Sequence, residues 1–590
     1  MKQFIAIRRL SLVACHLSLA ACLYAQNTQP DSVVLSREMI LEREYNPVLK
    51  DASKINQLPE IKEPEAPKTS VEFSNYTIPY IVSPYLRTIQ SNVYFSALET
   101  YKQRGYLNIG VGVPLNIEGD LGYQLLNTKK DYLSIYASHR STRNEVTYLH
   151  NTGKQLMKIN DNNAGIFYKH NFERAKFTTG VQYLNASFNY YGMTTTMDNN
   201  STVNIYSLLN KNQVNNLLQF HTGIESNEND EINYKVNLAY NLFKQKYGRL
   251  ENVEGPTESR YTANFDLSVP MNLTNAVGLQ GSAKSYFYQL SEDLELPNLV
   301  YPTQHAGKYN YSIVSLNPYF TYIDNVWDIR LGANVHFQFG KTKRFLLFPN
   351  IRLNWIPLQK TQIYLNVLGG VKDNGLYNTF FENRYIDPRF RLYDSKRPFD
   401  ATLGVHFLIL PNLSSDIFTG YRLTEDEHFY ITDYWPILSP VYMTAKTFNL
   451  GASVKYSYQD ILDVSLKGIF YKWDCSGYED YNFYLTTRIQ SLYPWNQPSF
   501  TGNIESSLKI PDLPLKFNLN YQFVYGRETY VVSNQKMKDI HALSVRASYS
   551  INQMLSVYTV ANNLLFQKYD IWYGYPAENF NIIGGISVKF

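Results

Sequence analysis

The chain has 590 residues, is 44% hydrophobic and only 18% charged, and carries 51 Tyr with a net charge of +4. Past residue 25 every apolar run is soon broken by charged or amide residues, so none approaches the roughly 18 residues of a spanning helix and a helical membrane bundle is excluded. The near balance of charge gives no case for nucleic acid. With three Cys, two of them (Cys15 and Cys22) at the extreme N-terminus, neither a disulfide framework nor a Cys-cluster metal site is available.

Residues 1–25 read as a signal peptide. Lys2, Arg8 and Arg9 form a positive start, Leu10 to Leu23 an apolar core too short to span a bilayer, and Ala25 a small residue before a cleavage point at Gln26. Leu19-Ala20-Ala21-Cys22 also matches a lipobox, in which Cys22 would be acylated. Either processing route exports the chain.

Residues 26–105 differ in composition. Ser36 to Tyr45 fits a short helix, and Pro47 and the run Pro59 to Pro67 (PEIKEPEAP) block both helix and sheet pairing. The expectation is an extended, Pro-marked periplasmic segment. Asp31 to Ser36 (DSVVLS) has the look of a TonB box, in which Val33, Val34 and Leu35 would add as a strand to a periplasmic partner, TonB being one candidate. The plainer alternative is a tail without a partner.

From residue 106 to 590 the period is two. In 327–339, Trp327, Ile329, Leu331, Ala333, Val335, Phe337 and Phe339 share one face, and Asp328, Arg330, Gly332, Asn334, His336 and Gln338 share the other. Windows 232–242 and 515–525 behave in the same way. Such runs exceed the about 5–6 residues of soluble strands and suit the about 9–11 needed to cross a bilayer at a tilt. Counted back from the C-terminus, 22 such windows emerge. Short connections such as 324–325, 410 and 552–554 fall among long ones such as 141–162, 373–397, 425–444 and 474–496. The fold class expected is all-β: a large closed antiparallel transmembrane β-barrel, with aromatics near strand ends forming interfacial girdles. The terminal strand ends at Phe590, an aromatic of the kind that signals outer-membrane insertion.

Little in the sequence resembles catalysis. Gly340-Lys341-Thr342 lacks the upstream glycine of a phosphate loop, no Gly-x-Ser-x-Gly elbow occurs, and the ten His are scattered. Asn160 to Asn163 and Glu425 to Glu427 lack the spacing of a calcium loop and read as solvated loop residues. No enzyme activity, cofactor or metal is expected. Loop 383–397 stands out, because five cations interleave with aromatics. Tyr385 and Phe390 offer stacking faces for a glycan, and Arg389, Arg391 and Arg397 offer charge to anionic lipopolysaccharide. The alternative is a loop that faces lipid headgroups without a specific ligand.

The end of the chain resembles TonB-dependent receptors. The resemblance rests on Asn563-Leu564-Leu565-Phe566-Gln567-Lys568-Tyr569, Gly574-Tyr575-Pro576, Gly584-Gly585 and Phe590. It implies a bacterial outer-membrane barrel bounded by lipid. The family's globular plug has no counterpart in 26–105, so something else must close so wide a lumen. The resemblance therefore implies the wall of a nutrient-uptake or transport complex that works with a periplasmic or surface protein partner. The alternative is a non-transporting assembly or interaction scaffold.

Overall fold

The computed structural model of the protein describes residues 103–590, apart from 151–152, 194–209, 228–231, 251–252, 291–306, 341–343, 359, 389–392, 433–436, 480–491 and 531–533. The leader, the candidate strand Val33, Val34 and Leu35, and the Arg389, Phe390 and Arg391 part of the candidate ligand loop lie outside the described residues.

The first half of the wall comprises β1 (Gly105–Val113), β2 (Leu115–Asn127), β3 (Asp131–Thr147), β4 (Lys154–Asn171), β5 (Ala175–Asn189), β6 (Asn212–Ser226), β7 (Asn233–Gln245), β8 (Thr257–Pro270), β9 (Asn275–Leu290), β10 (Gly307–Ile323) and β11 (Trp327–Phe339). Then follow β12 (Arg344–Leu358), β13 (Thr361–Lys372), the helix α1 (Leu376–Glu382), β14 (Ser395–Leu410), β15 (Leu413–Thr432), β16 (Leu438–Tyr458), β17 (Leu462–Glu479), β18 (Phe500–Lys509) and β19 (Leu515–Tyr525). The last part contains β20 (Glu528–Tyr530), β21 (Asn534–Lys536), β22 (Ile540–Ser550), β23 (Leu555–Asn562), β24 (Asp570–Trp572), β25 (Tyr575–Pro576) and β26 (Asn581–Lys589). Two small ribbons, β20–β21 and β24–β25, stand outside the wall, and the other strands form one 22-stranded sheet.

Each wall strand pairs antiparallel with its neighbours in order, and β26 returns to β1 with Gly110 opposite Gly585. The two glycines let Tyr558 lie across the closing seam. A Cβ on Gly585 would stand 2.4 Å from its ring and one on Gly110 2.8 Å from its hydroxyl, which donates to Glu118 at 2.8 Å. Phe590 sits at the same seam, its ring stacked on Tyr123 at 5.8 Å.

The expected alternation holds. On β11 Trp327, Leu331 and Phe339 are exposed on the outer face. On the lumen face His336 bonds Ser315 at 2.6 Å and Asn334 donates to the Gly369 carbonyl at 2.7 Å. Most of the short connections, though not Pro114 between β1 and β2, share one end with residue 103 and Phe590, which is the periplasmic end by the usual asymmetry of such barrels.

Two expected long loops prove to be hairpins that continue beyond the membrane, and the first residues of a third, 474–479, extend β17 along β16. The ladder runs on to Thr147↔Lys154 in β3–β4, Thr432↔Leu438 in β15–β16 and Tyr442↔Glu479 in β16–β17. Consequently Asn160 to Asn163 and Glu425 to Glu427 lie on strands rather than in loops. β23, in contrast, stops early, at Asn562. Asn563 and Phe566 adopt φ of 50° and 52°, a left-handed geometry that ends a strand.

The aromatic residues divide. Trp327 and Trp355 stack at 5.7 Å on the outer face near the turn end, as a girdle requires. Tyr286, Tyr288, Tyr311, Tyr430 and Tyr442, in contrast, turn inward on the far extensions and join a buried cluster.

Candidate functional site

The buried core lies inside the outer mouth, where the loop between β13 and β14 enters the lumen. Strands β4 and β13 stand nine places apart on the 22-strand ring, nearly opposite. Residues 373–388 cross that gap. Their contacts reach β4, β5, β7 and β8 on one side and β15 and β16 on the other.

The crossing is anchored at both ends and along its length. Asp373 accepts from Arg260 at 2.8 Å and lies 3.9 Å from Lys284. Burial alone would raise the Asp373 pKa, but Arg260 and Lys284 outweigh it and hold the carboxyl below its usual value. The buried Glu258 accepts from the Leu376 N–H at 2.5 Å, at the start of α1. Gly375 permits this approach, since a Cβ there would lie 2.7 Å from the Glu258 carboxylate. Phe380 of α1 packs against Phe243 and Phe188 at ring distances of 5.7 and 6.3 Å. Glu382 at the helix end bonds His428 at 2.5 Å.

Beyond α1, Arg384 reaches down to Asp161 on β4 with two hydrogen bonds of 3.2 and 2.9 Å. Tyr385 stacks on Tyr575 with centroids 4.0 Å apart and meets Tyr191 edge-on at 5.6 Å. Ile386 forms a parallel bridge to Leu438, and Tyr190 donates to its carbonyl at 3.2 Å. The loop is thus a short helix and an extended piece stitched to the inner wall. Tyr385 in this clamp has no open aromatic face, whereas Phe381 of α1 is 40% exposed.

Sequence reading assigned Tyr385 and Arg397 to a ligand-facing loop. The structure gives Tyr385 4% exposure, with its ring covered by Tyr575 and Tyr191. Arg397, on β14, approaches Glu427 at 4.0 Å. The two residues therefore face the mouth's interior in this conformation. Sequence reading missed Glu258, Arg260 and Asp373, took Asp161 for a solvated loop residue and counted Arg384 only among the five cations of loop 383–397. Their one visible sign was charge at lumen-facing strand positions and just past a strand end.

A second group closes the rim. Arg527, 1% exposed, donates to the carbonyls of Ile571, Asp570 and Lys538 at 3.0, 2.9 and 3.1 Å. Burial lowers its pKa to about 10. His150 stacks on Tyr573 at 4.5 Å and stands 3.4 Å from Asp570. The loops after β3, β19 and β23 are joined by these contacts into a collar. Among the described residues no group of three or more His, Cys, Asp or Glu is placed to hold a metal ion.

No family model and no curated protein sequence matches the chain. Solved structures do match in fold. The siderophore receptor PirA from Acinetobacter baumannii superposes with a TM-score of 0.63 at 9% identity, over 84% of this chain and 81% of that one. The FrpB iron transporter from Neisseria meningitidis gives 0.63 at 10% identity, over 83% and 82%. The copper transporter OprC gives 0.59 at 8% identity, over 83% and 80%. The resemblance to TonB-dependent receptors therefore holds at the level of the barrel fold. A closed 22-strand ring with an apolar outer face is an architecture of the bacterial outer membrane.

Proposed function

We propose that the protein forms the wall of an outer-membrane transport pathway whose outer mouth is closed by its own loop segment, residues 373–388. The observation that carries this reading is the crossing of the bore by α1 and its flanks, held through polar anchors at Asp373, Glu258 and Arg384. The Arg384 and Asp161 side chains keep 23% and 24% of their surface exposed, so polar anchors of this kind exchange with water and ligand more readily than the apolar cluster around Phe380 and Tyr385 separates. A closure built on them is a removable obstruction, which a transport wall needs and a permanent scaffold does not. The fold shared with proteins described as iron and copper transporters supports the same reading.

In this scheme residues 26–105 engage a periplasmic partner rather than seal the bore, with Val33, Val34 and Leu35 adding as a strand to a sheet edge of TonB or a protein of similar role. Planar-bilayer conductance tests the division of labour. Replacing 376–387 by a Gly-Ser link should open a large, poorly selective channel, since about 22 strands enclose a wide bore. Deleting 26–90 should leave conductance low and abolish partner capture in a pull-down. A closed barrel after loop replacement, or an open one after the N-terminal deletion alone, would refute the reading.

A further inference from the structure

One sector of the outer wall breaks the apolar band. On β11 the outward positions stay apolar from Trp327 to Phe339. On β3 the outward run Leu133, Ile135, Ala137 gives way to His139, Ser141 and Arg143. The register carries this change sideways. His139 faces Asn162, Ser141 faces Asn160 and Arg143 faces Lys158, while Asn162 faces Asn185 and Asn185 faces Asn216. His139 bonds Asn162 at 2.7 Å and Ser141 at 3.1 Å, and Asn216 accepts from Asn185 at 2.8 Å and Tyr183 at 2.7 Å.

Three tiers result. At about 3.3 Å per residue and a tilt near 40°, the eight or so residues from the periplasmic turn to His139 rise about 20 Å, close to the top of an apolar band about 25 Å tall. Beneath His139 lies an outward groove of about 340 Å³ between Leu107, Leu121, Ala137, Ala164 and Tyr183. Gly119 forms part of it, and the nearest atom to a Cβ built there is 3.9 Å away. Above His139, Arg143 and Lys158 are exposed and directly opposed, with no ion-pair partner among the described residues. Like charges directly opposite destabilise a sheet unless an anion lies between them.

We propose that this face is a binding site for one phosphorylated disaccharide lipid of the outer leaflet. Its phosphate bridges Arg143 and Lys158. Its sugar hydroxyls and acyl-linkage amides exchange hydrogen bonds with the His139, Ser141, Asn160 and Asn162 tier, and one acyl chain lies in the groove at Gly119. The width of the tier selects a disaccharide over a glycerol headgroup. His139, Asn162, Asn185 and Asn216 occupy four neighbouring strands, which at about 4.8 Å per strand spread polar groups over about 14 Å. The site is independent of the transport reading, since it lies on the opposite face of the wall.

Native mass spectrometry of the full-length protein in mild detergent tests it, with purified lipid A, monophosphoryl lipid A and phosphatidylglycerol as probes. Lipid A should bind at least about tenfold more tightly than phosphatidylglycerol, with the monophosphoryl form between them. The Arg143→Gln/Lys158→Gln double variant should remove the preference for phosphate. Gly119→Leu, whose Cβ has room at the groove, should weaken lipid A about tenfold (about 1.4 kcal/mol). Heat-modifiable gel migration checks that each variant remains a closed barrel. Equal binding of lipid A and phosphatidylglycerol, unchanged affinity in both variants, or occupation of the face by a second copy of the chain would overturn the proposal.

Discussion

The guanidinium of Arg384 meets the carboxylate of Asp161 at two points across 223 residues of sequence, with Nη1 to Oδ1 at 3.2 Å and Nη2 to Oδ2 at 2.9 Å. A planar fork on a planar carboxylate fixes direction as well as distance. The loop cannot leave the mouth without giving up both bonds.

Arg384→Ala should therefore loosen the mouth while leaving the ring intact. The expected loss is about 1.5–3 kcal/mol of anchoring, the range for hydrogen bonds to charged groups. It should appear as raised conductance with frequent openings. The exchanged pair Arg384→Asp/Asp161→Arg should recover part of the closure. Conductance unchanged in Arg384→Ala would show that the contact holds nothing.

Tyr385→Ala removes a ring packed on Tyr575, Tyr191 and Phe188. Truncating a buried aromatic costs about 3–5 kcal/mol. Hydrogen exchange should quicken over α1 and over residues 570–576, and stay slow in β19. A uniform increase around the whole ring would mean that the cluster stabilises the wall rather than the loop.

Asp373 gives the clamp an acid limit. Its folded pKa lies below 3.8, so its contribution is complete above the unfolded value and is lost as pH falls through the folded one. The Asp373 contribution should be flat from about pH 8 to about pH 5 and fail only in stronger acid, whereas Glu258, whose carboxyl burial raises to about 7, titrates within that window. Asp373→Asn should leave the loop loose at neutral pH and remove its share of the acid response. Conductance against pH for both proteins checks the sign: the difference between them should hold down to about pH 5 and close only in stronger acid, and a difference that vanishes near pH 6 would contradict it.

Leu519 and Asn520 point to opposite faces of β19, and Asn520 stands opposite Glu505 in register. Leu519→Arg places a charge in hydrocarbon and should destabilise by about 2–4 kcal/mol. Asn520→Arg gains a carboxylate neighbour and should cost far less. Unfolding in lipid vesicles measures both, and equal costs would mean the faces are exchanged.

The ring was legible because its cause is local. Every wall strand must alternate, so Trp327 to Phe339 or Leu515 to Tyr525 declares itself within its own window. Extended hairpins such as Thr147↔Lys154 escaped because, once above the membrane, their outward residues no longer need to be apolar. The clamp escaped for a different reason. Nothing near Arg384 in sequence points to Asp161, and the tyrosines that look like a girdle in one dimension turn inward once the register is known. Tyr385 and Arg397 were singled out for their chemistry, and the structure shows that chemistry turned toward the protein's own interior.

Gly105 and Phe590 exchange both backbone hydrogen bonds, at 2.7 and 2.9 Å. The contact that completes the ring therefore joins the two ends of the wall, 485 positions apart by number (590 − 105). Until β26 has been synthesised, β1 offers an open edge, and such non-local pairing is slow to form. Assembly must accordingly follow synthesis instead of accompanying it, and the nascent wall needs a keeper in the interval. A circular permutant that ties Phe590 to Gly105 through a short turn, with new ends at the Asp324-Asn325 turn, would retain every pairing of the seam while turning it into an ordinary hairpin.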